Sequence, residues 1–432
     1  MTHPLFTEDF KAEPFWWERS PRPEVADSAL PQSVDVLIVG SGFTGLSAAI
    51  QTARAGRSTL VVDAEAPGWG CSSRNGGQIS TSIKPKLQEL SKKVGRDLAF
   101  GVIKEGHTAL QWIGDFIAEE GIACDFNRKG RFFGAHTPRS YDDLAKSYTN
   151  EPPGLETGSY MVPKAEQHSE IGSDFYHGGV VNPKNASLDP GRYHLGLYDR
   201  ARAAGAQVVA HCRVTGLSGE PGSFVVETAK GKVTARDVIV ATSGYTGELT
   251  PWQQRRVIPI GSYVLATEPL APDVIDRLIP NDRMITDTKR LVVYYRACPE
   301  RRRIIFGGRV SITETDVVSV APALHAEMTK IFPELSQTRM THAWMGFVGY
   351  TFDSLPHMGV HEGVHYSMGY CGSGVSLSSY MGMKIGLQVV GDRAGESPLA
   401  QVPFESRAYY WGKPWFLAPS ISYYKWRDRS AA

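Results

Sequence analysis

Three glycines near residue 40 have the spacing of a dinucleotide-binding turn. Gly40, Gly42 and Gly45 form the pattern GxGxxG directly after the apolar run Val34–Val39. In such a turn the first glycine allows a tight bend and the second lets the backbone approach a pyrophosphate. The third glycine lets the following helix pack closely on the strand. We therefore expect this turn to bind the phosphates of a dinucleotide.

The residues that follow complete the pattern. Phe43 and Thr44 begin a segment with helical periodicity, whose N-terminal N–H groups would face the phosphates. Asp63 ends a second apolar strand, 18 positions after Gly45, where its carboxylate can accept hydrogen bonds from a ribose 2′-OH. Strand, turn, helix and acid together predict a βαβ unit that binds a dinucleotide.

A second glycine-rich stretch, GWGCSSRNGGQ, follows this unit at residues 68–78. NAD bound to the first motif would not need a further glycine-rich contact. A flavin carries a long ribityl–isoalloxazine half that must lie against backbone, and glycine allows that close approach. The second stretch therefore indicates FAD.

The two stretches resemble those of the D-amino-acid oxidase superfamily of FAD-dependent oxidoreductases. Within it they are most similar to bacterial gamma-glutamylputrescine oxidoreductases and related oxidases of amines and N-substituted amino acids. In that family GxGASGRNGGQ follows the first βαβ unit, and this chain departs from it at Cys71 and Ser73. The likeness continues through GKVTARDVIVATSGY, YYR…RRIIFGG and GYCGSGV. It implies an α/β fold: a Rossmann-like FAD-binding domain interleaved with an α+β substrate domain on a mostly antiparallel sheet.

The resemblance also implies cofactor contacts. Val214 would lie by the adenine and Ala241 near the pyrophosphate, and a helix after Gly372 would direct its positive N-terminus at the flavin. Relatives often carry His or Lys in that last turn, where this chain has Ser373 and Ser376. No charged oxygen-activating group is therefore expected there. The implied flavin contacts are Ser73, Arg74, Asn75, Gly76, Gly77, Gly372, Ser373, Gly374 and Val375.

Some relatives attach FAD covalently through Cys or His. Cys71 and Cys371 lie near the expected path of the flavin, but free cysteines are also common as small buried side chains. We therefore expect FAD to be bound non-covalently.

Substrates of this superfamily usually carry a carboxylate, and arginine is a bidentate partner for it. Arg296 is the first candidate, because strand alternation puts it on the face of Tyr294. Arg309 is the second, and Tyr295 and Tyr263 are weaker candidates for substrate contact. No catalytic base is predicted, because flavin-dependent oxidation of a neutral amine depends mainly on orientation and desolvation.

Composition limits the partners. Of the 432 residues, 42% are hydrophobic and 21% are charged, and the formal net charge of +1 provides no field that would attract nucleic acid or a membrane. The five cysteines lack CxxC or metal spacing, the twelve histidines lack ligand spacing, and the N-terminus lacks the apolar region of a signal peptide. We expect a cytoplasmic enzyme without a metal, nucleic-acid or membrane partner, and the oligomeric state is left open. His357 could approach the flavin, but a structural role is favoured.

Strand and helix patterns predict interleaved domains between an N-terminal arm and an aromatic-rich tail. The tail fits three alternatives: a membrane-interface anchor, a cover for the substrate entrance, or packing on the protein's own surface, which is favoured. The predicted ranges are 33–85, 160–250 and 338–395 for the FAD-binding domain, 86–159 and 251–337 for the substrate domain, 1–32 for the arm and 396–432 for the tail.

These features predict FAD-dependent oxidation of the C–N bond of a small carboxylate-bearing amine, such as a gamma-glutamyl amine or iminodiacetate. The imine would hydrolyse to an aldehyde and an amine, and O2 would be reduced to H2O2. Two alternatives remain at this point. One is a dehydrogenase that passes electrons to a quinone or a partner protein, and the other is a non-catalytic FAD-binding subunit.

Overall fold

The computed structural model describes residues 4–25, 29–81, 83–311 and 314–430. Its elements are numbered in chain order. The helices are α1 (Phe15–Arg19), α2 (Phe43–Arg54), α3 (Leu87–Val94), α4 (Arg96–Glu119), α5 (Pro138–Thr149), α6 (Pro190–Ala203), α7 (Pro251–Gln254), α8 (Pro272–Leu278), α9 (Val317–Ile331), α10 (Gly374–Val389) and α11 (Leu417–Ser430). The strands are β1 (Phe6–Lys11), β2 (Ser33–Val39), β3 (Thr59–Val62), β4 (Gln78–Ile79), β5 (Arg131–Gly134), β6 (Tyr160–Val162), β7 (Gly179–Asn182), β8 (Ala186–Ser187), β9 (Gln207–Val209), β10 (Val214–Ser218), β11 (Phe224–Thr228), β12 (Gly231–Val240), β13 (Ile258–Thr267), β14 (Met284–Asp287), β15 (Val293–Ala297), β16 (Ile304–Gly308), β17 (Met340–Tyr350), β18 (His357–His361) and β19 (Val364–Met368).

The first sheet contains the predicted βαβ unit. Its strand order is β10-β11-β12-β2-β3-β9, and β19 adds to β12 and carries β18. β2 runs parallel to β3 and β12, and its apolar side chains are buried because helices and strands cover both faces. The helix α2 ends at Arg54, two residues before Gly56, whose φ of +76° suits the glycine that follows the C-cap of a helix. The predicted strand–turn–helix–strand order is confirmed.

The second sheet has nine strands in the order β1-β17-β13-β16-β15-β14-β5-β7-β6. Most of its pairings are antiparallel, and the longest joins β13 to β17. One face packs on α9 and neighbouring helices, where Tyr263 and Tyr295 lie in the core. The other face borders the cavity described below. The predicted combination of a Rossmann-like unit and a mostly antiparallel sheet is confirmed.

The sheets divide the chain differently from the predicted domain ranges. β6, β7 and β17 belong to the nine-stranded sheet, although 160–250 and 338–395 were predicted to be FAD-binding. The helix α4 packs in the same core as α2 and α10, although 86–159 was predicted to be part of the substrate domain. Local periodicity identifies a strand or a helix, but it does not say which sheet the element joins.

The two ends of the chain are structured. The predicted extended arm forms β1, which pairs with β17, and α1, whose Trp16 is fully buried beside Trp344. The tail forms α11, which was not predicted as a helix. None of the helices in the described ranges is long and apolar enough to cross a membrane.

The helices α2 and α10 are distant in sequence and pack backbone against backbone. A Cβ on Gly382 would overlap the main chain of Thr44, at 2.8 Å from its Cα, and one on Gly386 would lie 2.7 Å from the Ala48 carbonyl oxygen. Neither backbone can give way cheaply, because both helices are buried in one core. The two glycines therefore set the distance between the helices.

We expect Gly382→Ala to destabilise the protein by at least about 2 kcal/mol, because overpacking outweighs the gain of about 1 kcal/mol in helix propensity. Gly114→Ala on α4 is the control, since its Cβ would meet the movable Arg128 guanidinium (2.6 Å). Urea unfolding should show the control equal to wild type or more stable. Equal stability of the two variants would contradict the close-contact argument.

Candidate functional site

A cavity of about 1200 Å³ is lined by residues of both sheets. Its first part is surrounded by the turn between β2 and α2, the end of β3, the residues 68–78, the stretch 212–214 and the start of α10. Its second part borders the open face of the nine-stranded sheet. The cavity therefore joins a possible cofactor site to a possible substrate site.

The glycine turn is held by Asp63. Its Oδ2 accepts hydrogen bonds from the N–H and the hydroxyl of Ser41, both at 2.7 Å, and its Oδ1 accepts one from Glu65 N–H (3.0 Å). The N-cap residue of α2, Gly42, has no side chain, Ser72 Oγ accepts a hydrogen bond from Phe43 N–H (2.9 Å), and a Cβ at Gly42 would lie 2.8 Å from that oxygen. The space and the exposed positive end of the helix suit a phosphate.

Residues 68–78 are fixed through their own main-chain carbonyls. Trp16 Nε1 donates to the Asn75 carbonyl (2.8 Å) and Trp344 Nε1 to the Arg74 carbonyl (2.7 Å). The Asn75 side chain accepts from Gly77 N–H (2.8 Å), which closes a tight turn. The stretch thus presents small residues to the cavity on a rigid backbone.

The start of α10 forms the opposite wall. Ser373 precedes the helix without a side-chain capping bond, and Ser376 Oγ is buried without a partner among the described residues. Gly372 has a φ of +91°, which glycine adopts without strain. Uncapped N–H groups and a positive helix end here would stabilise negative charge on a bound group.

The sheet face presents Tyr294 to the cavity. Its hydroxyl lies 3.0 Å from Ser262 Oγ, and a Cβ on Gly76 would lie 2.9 Å from its ring. Gly307 on the neighbouring strand leaves room for the ring, since any Cβ there would overlap it. Tyr294 therefore marks the point where the substrate face meets residues 68–78.

Comparison with known proteins identifies the family. Residues 35–386 match the family model described as DAO, FAD dependent oxidoreductase. The chain belongs to this family.

Known relatives match this chain over most of its length. The probable oxidoreductase OrdL of Haemophilus influenzae is 31% identical over 84% of this chain and 84% of its own length. The gamma-glutamylputrescine oxidoreductase of Escherichia coli is 30% identical over 91% of this chain and 93% of its own. The glycine oxidase structure from Geobacillus kaustophilus has a TM-score of 0.72 at 18% identity, covering 88% of this chain and all of that one, and shows the shared fold. The chain is an FAD-dependent oxidoreductase, and its cavity fits the cofactor.

Most predicted FAD contacts of this DAO-family oxidoreductase line the cavity. Three do not. Gly45 packs against Gly40, Ser73 accepts a hydrogen bond from Trp17 Nε1 (2.7 Å), and Gly77 faces the Leu188 carbonyl. These three residues support the cavity wall without facing the cavity. The predicted residues that line the cavity are Gly40, Gly42, Phe43, Thr44, Asp63, Arg74, Asn75, Gly76, Val214, Ala241, Gly372, Ser373, Gly374 and Val375.

Of the four predicted substrate residues, the cavity is lined only by Arg309. Arg296 is buried beside the cavity, where its guanidinium donates to the carbonyls of Leu188 (2.9 Å), Ala297 (3.0 Å) and Gly77 (3.4 Å). The prediction that Arg296 faces the substrate is therefore not supported, because the residue does not line the cavity and main-chain acceptors occupy its Nε and Nη1 donors.

Tyr295 and Tyr263 lie on the wrong face of the sheet. The Tyr295 hydroxyl meets the Tyr176 hydroxyl (3.1 Å), and the Tyr263 hydroxyl donates to the Thr315 carbonyl (3.2 Å). Both rings pack in the core beneath α9. Alternation along the strands puts Tyr294 and Ser262 on the cavity face instead.

Several cavity residues were missed by sequence reasoning. Arg131 lies on β5, and Lys84 donates to the Tyr350 hydroxyl (2.9 Å). In the tail, Leu417 and Tyr424 of α11 line the cavity. The helix therefore covers part of the cavity, which fits the second of the three alternatives for the tail. A lone arginine opening a short strand carries no sequence signal for this role.

The two cysteines near the flavin path line the cavity as neutral thiols. Burial raises the pKa of Cys71 to about 11 and also raises the pKa of Cys371. His357 does not line the cavity: its Nε2 lies 3.1 Å from Asp353 Oδ2, and its ring stacks on Phe404 at 4.1 Å. The geometry of His357 fits the structural role.

His194 on α6 supports the glycine turn from outside the cavity. Its Nε2–H donates to the Ser41 carbonyl (2.8 Å), and Arg22 donates to its Nδ1 (3.3 Å). Burial, followed by the Arg22 charge, lowers the pKa of His194 to about 3. The folded protein therefore holds this imidazole neutral.

We expect this histidine to make stability depend on pH. Below about pH 6.5 this histidine is protonated in the unfolded chain, whereas the folded chain keeps it neutral down to about pH 3. The contribution of His194 to the free energy of unfolding is therefore present above pH 6.5 and is lost as the pH falls. Relative to His194→Gln, the wild type should lose about 1.4 kcal/mol per pH unit between pH 6 and pH 4. Urea unfolding of both proteins measures this difference, and parallel pH profiles would refute it.

Proposed function

We propose that this oxidoreductase oxidises the C–N bond of a small amine that carries a carboxylate. The observation that carries the proposal is the continuity of one cavity from the FAD-binding turn to a sheet face with Arg131, Tyr294 and Arg309. Bound FAD supplies a two-electron acceptor. The relative named gamma-glutamylputrescine oxidoreductase and the neighbouring structure named iminodiacetate oxidase (TM-score 0.67) support this substrate class.

The proposed reaction is a two-electron oxidation followed by hydrolysis. The carbon next to the neutral amine nitrogen loses a hydride equivalent to the two-electron acceptor, the nitrogen lone pair forms the C=N bond, and the nitrogen releases one proton, which leaves an imine. Water adds to the imine and releases an aldehyde and an amine. O2 is the proposed final acceptor, and it takes up two electrons and two protons as H2O2.

The chain's own residues position the substrate. The tightly packed Tyr294 ring forms one wall beside residues 68–78, and its hydroxyl is oriented by Ser262. Arg309 Nη1 donates to Gly261 O (2.6 Å) and to Glu314 Oε1 (2.9 Å), while its Nε and Nη2 are buried without a partner among the described residues. Those free donors can bind an oxygen of the substrate.

An anaerobic screen tests the function. Some members of a panel of gamma-glutamyl amines and N-alkyl amino acids should reduce the bound flavin, which is measured as the loss of its visible absorbance at about 450 nm. Readmitted air should restore the colour and form one H2O2 per amine oxidised. Flavin that no panel member reduces would refute the proposal, and reduction without H2O2 would favour a dehydrogenase.

We expect Arg309→Gln to lower kcat/KM about tenfold, the cost of one or two hydrogen bonds, because the charge of Arg309 is already paired with Glu314. FAD content should not change. Arg302→Gln, at an exposed position of the same hairpin, is the matched control. Full activity of Arg309→Gln on every reducing amine would exclude Arg309 from substrate binding.

A further inference from the structure

Arg131 is a half-buried cavity residue that has no carboxylate partner within the described ranges. Its Nη2 donates to Asn182 Oδ1 (2.9 Å), and its Nε is buried without a hydrogen-bond partner in the described ranges. Its other described neighbours are the Phe133 ring, at 5.3 Å, and Tyr148. None of these neighbours is a carboxylate. A buried cation without an anion is costly, so a ligand that supplies the anion is favoured.

The other cations of the cavity differ in this respect. Arg309 is paired with Glu314 (2.9 Å), and Arg213 with Glu65 (3.3 Å). The Arg74 guanidinium lies between two indole rings, with Trp17 at 4.6 Å and Trp69 at 4.7 Å. Lys84 and Arg290 are exposed, so water solvates their charge. Among the cations that line the cavity, Arg131 is therefore the one that a bound anion would stabilise most.

The surroundings of Arg131 complete a small polar pocket. Thr286 lies on the adjacent strand β14, on the same face, and its Oγ1 is buried without a partner among the described residues. Tyr148 also lines the cavity, and its hydroxyl lies 3.4 Å from Asn182 Oδ1. Phe133 and Met284 provide apolar walls. Arg131 and Thr286 thus place two unsatisfied polar groups on the same face of neighbouring strands, and both residues line the cavity.

Within the pocket, Arg131 is separated from the cofactor side of the cavity, and Thr286 lies between them as the cross-strand partner of Tyr294. Tyr294, which contacts Gly76, lies on β15, and β14 lies between it and β5. Two strand spacings amount to about 10 Å. A carboxylate bound at Arg131 therefore belongs to the end of a ligand that is remote from its reacting carbon.

We propose that Arg131 and Thr286 form an anion subsite that binds the distal carboxylate of an extended amine substrate. The subsite rests on the proposed function for its substrate class and adds a length requirement to it. Amines with a carboxylate several bonds from the reacting carbon are favoured over N-carboxymethyl amines, whose carboxylate cannot reach Arg131.

Two compounds that cannot be oxidised test the subsite apart from turnover. N-butylglutaramate carries the distal carboxylate and lacks an amine, and N-butylglutaramide replaces the carboxylate with a neutral amide. Each is titrated into the FAD-loaded enzyme, and binding is read from the perturbed flavin absorption spectrum. The wild type should bind the acid at least tenfold more tightly than the amide.

Arg131→Gln should weaken binding of the acid about 100-fold and that of the amide less than threefold, because only the acid loses a charge partner. Thr286→Val should weaken binding of the acid about fivefold. Arg128→Gln is the matched control, since Arg128 is exposed three residues earlier and contacts Gln111 (3.1 Å) outside the cavity. It should bind both compounds like wild type. FAD content of each variant reports folding, and Arg131→Lys, which keeps the charge, should recover part of the affinity.

Three results would overturn the subsite: equal binding of acid and amide by wild type, unchanged binding of the acid by Arg131→Gln, or equal losses for both compounds in that variant. Anaerobic reduction by N-(4-aminobutyl)glutaramate separates the two proposals. Selective loss of acid binding without reduction by any amine retains the subsite and refutes the amine oxidation. Reduction that is unaffected by Arg131→Gln retains the oxidation and refutes the subsite.

Discussion

The contact of α2 with α10 is the constraint on which the cofactor site depends. Gly382 and Gly386 let the second helix lie directly on the main chain of the first, and Tyr370 adds a hydrogen bond to Thr44 Oγ1 (2.7 Å). The two helices are more than 300 residues apart in sequence, yet both begin at the cavity. Their N-termini can act on one bound FAD only because no side chain separates the helices at this crossing.

Residues 68–78 join this cofactor site to the nine-stranded sheet. The indoles of Trp16 and Trp344 and the guanidinium of Arg296 all donate to carbonyls of this stretch. Two of these anchors come from the sheet, and Trp16 comes from an arm that had no evident function in the sequence. The arm, the sheet and residues 68–78 therefore form one hydrogen-bonded unit, and Arg296 is part of it and does not line the cavity.

Electrostatics divides the substrate face into two ends. Near α11, the charge of Arg309 is balanced by Glu314, and Asp428 of α11 accepts hydrogen bonds from the N–H groups of Arg290 (3.0 Å) and Leu291 (3.1 Å). Near β5, the neighbours of Arg131 in the described part of the chain include Asn182 and Tyr148, both neutral, and no carboxylate. Because a buried charge is stabilised mainly by a close opposite charge, the β5 end has the greater preference for an anion.

The sequence by itself determined the cofactor and the fold class. GxGxxG, Asp63 and GWGCSSRNGGQ are local patterns, and their geometry follows from backbone freedom and strand–helix order within a few dozen residues. Tertiary structure alone decided which side chains line the cavity. Arg296 and Arg131 look equivalent as arginines on short strands, and alternation correctly placed Arg296 on the face of Tyr294. Whether a guanidinium meets carbonyls, a carboxylate or an open cavity depends on residues far away in sequence, such as Leu188 beside Arg296 and Asn182 beside Arg131.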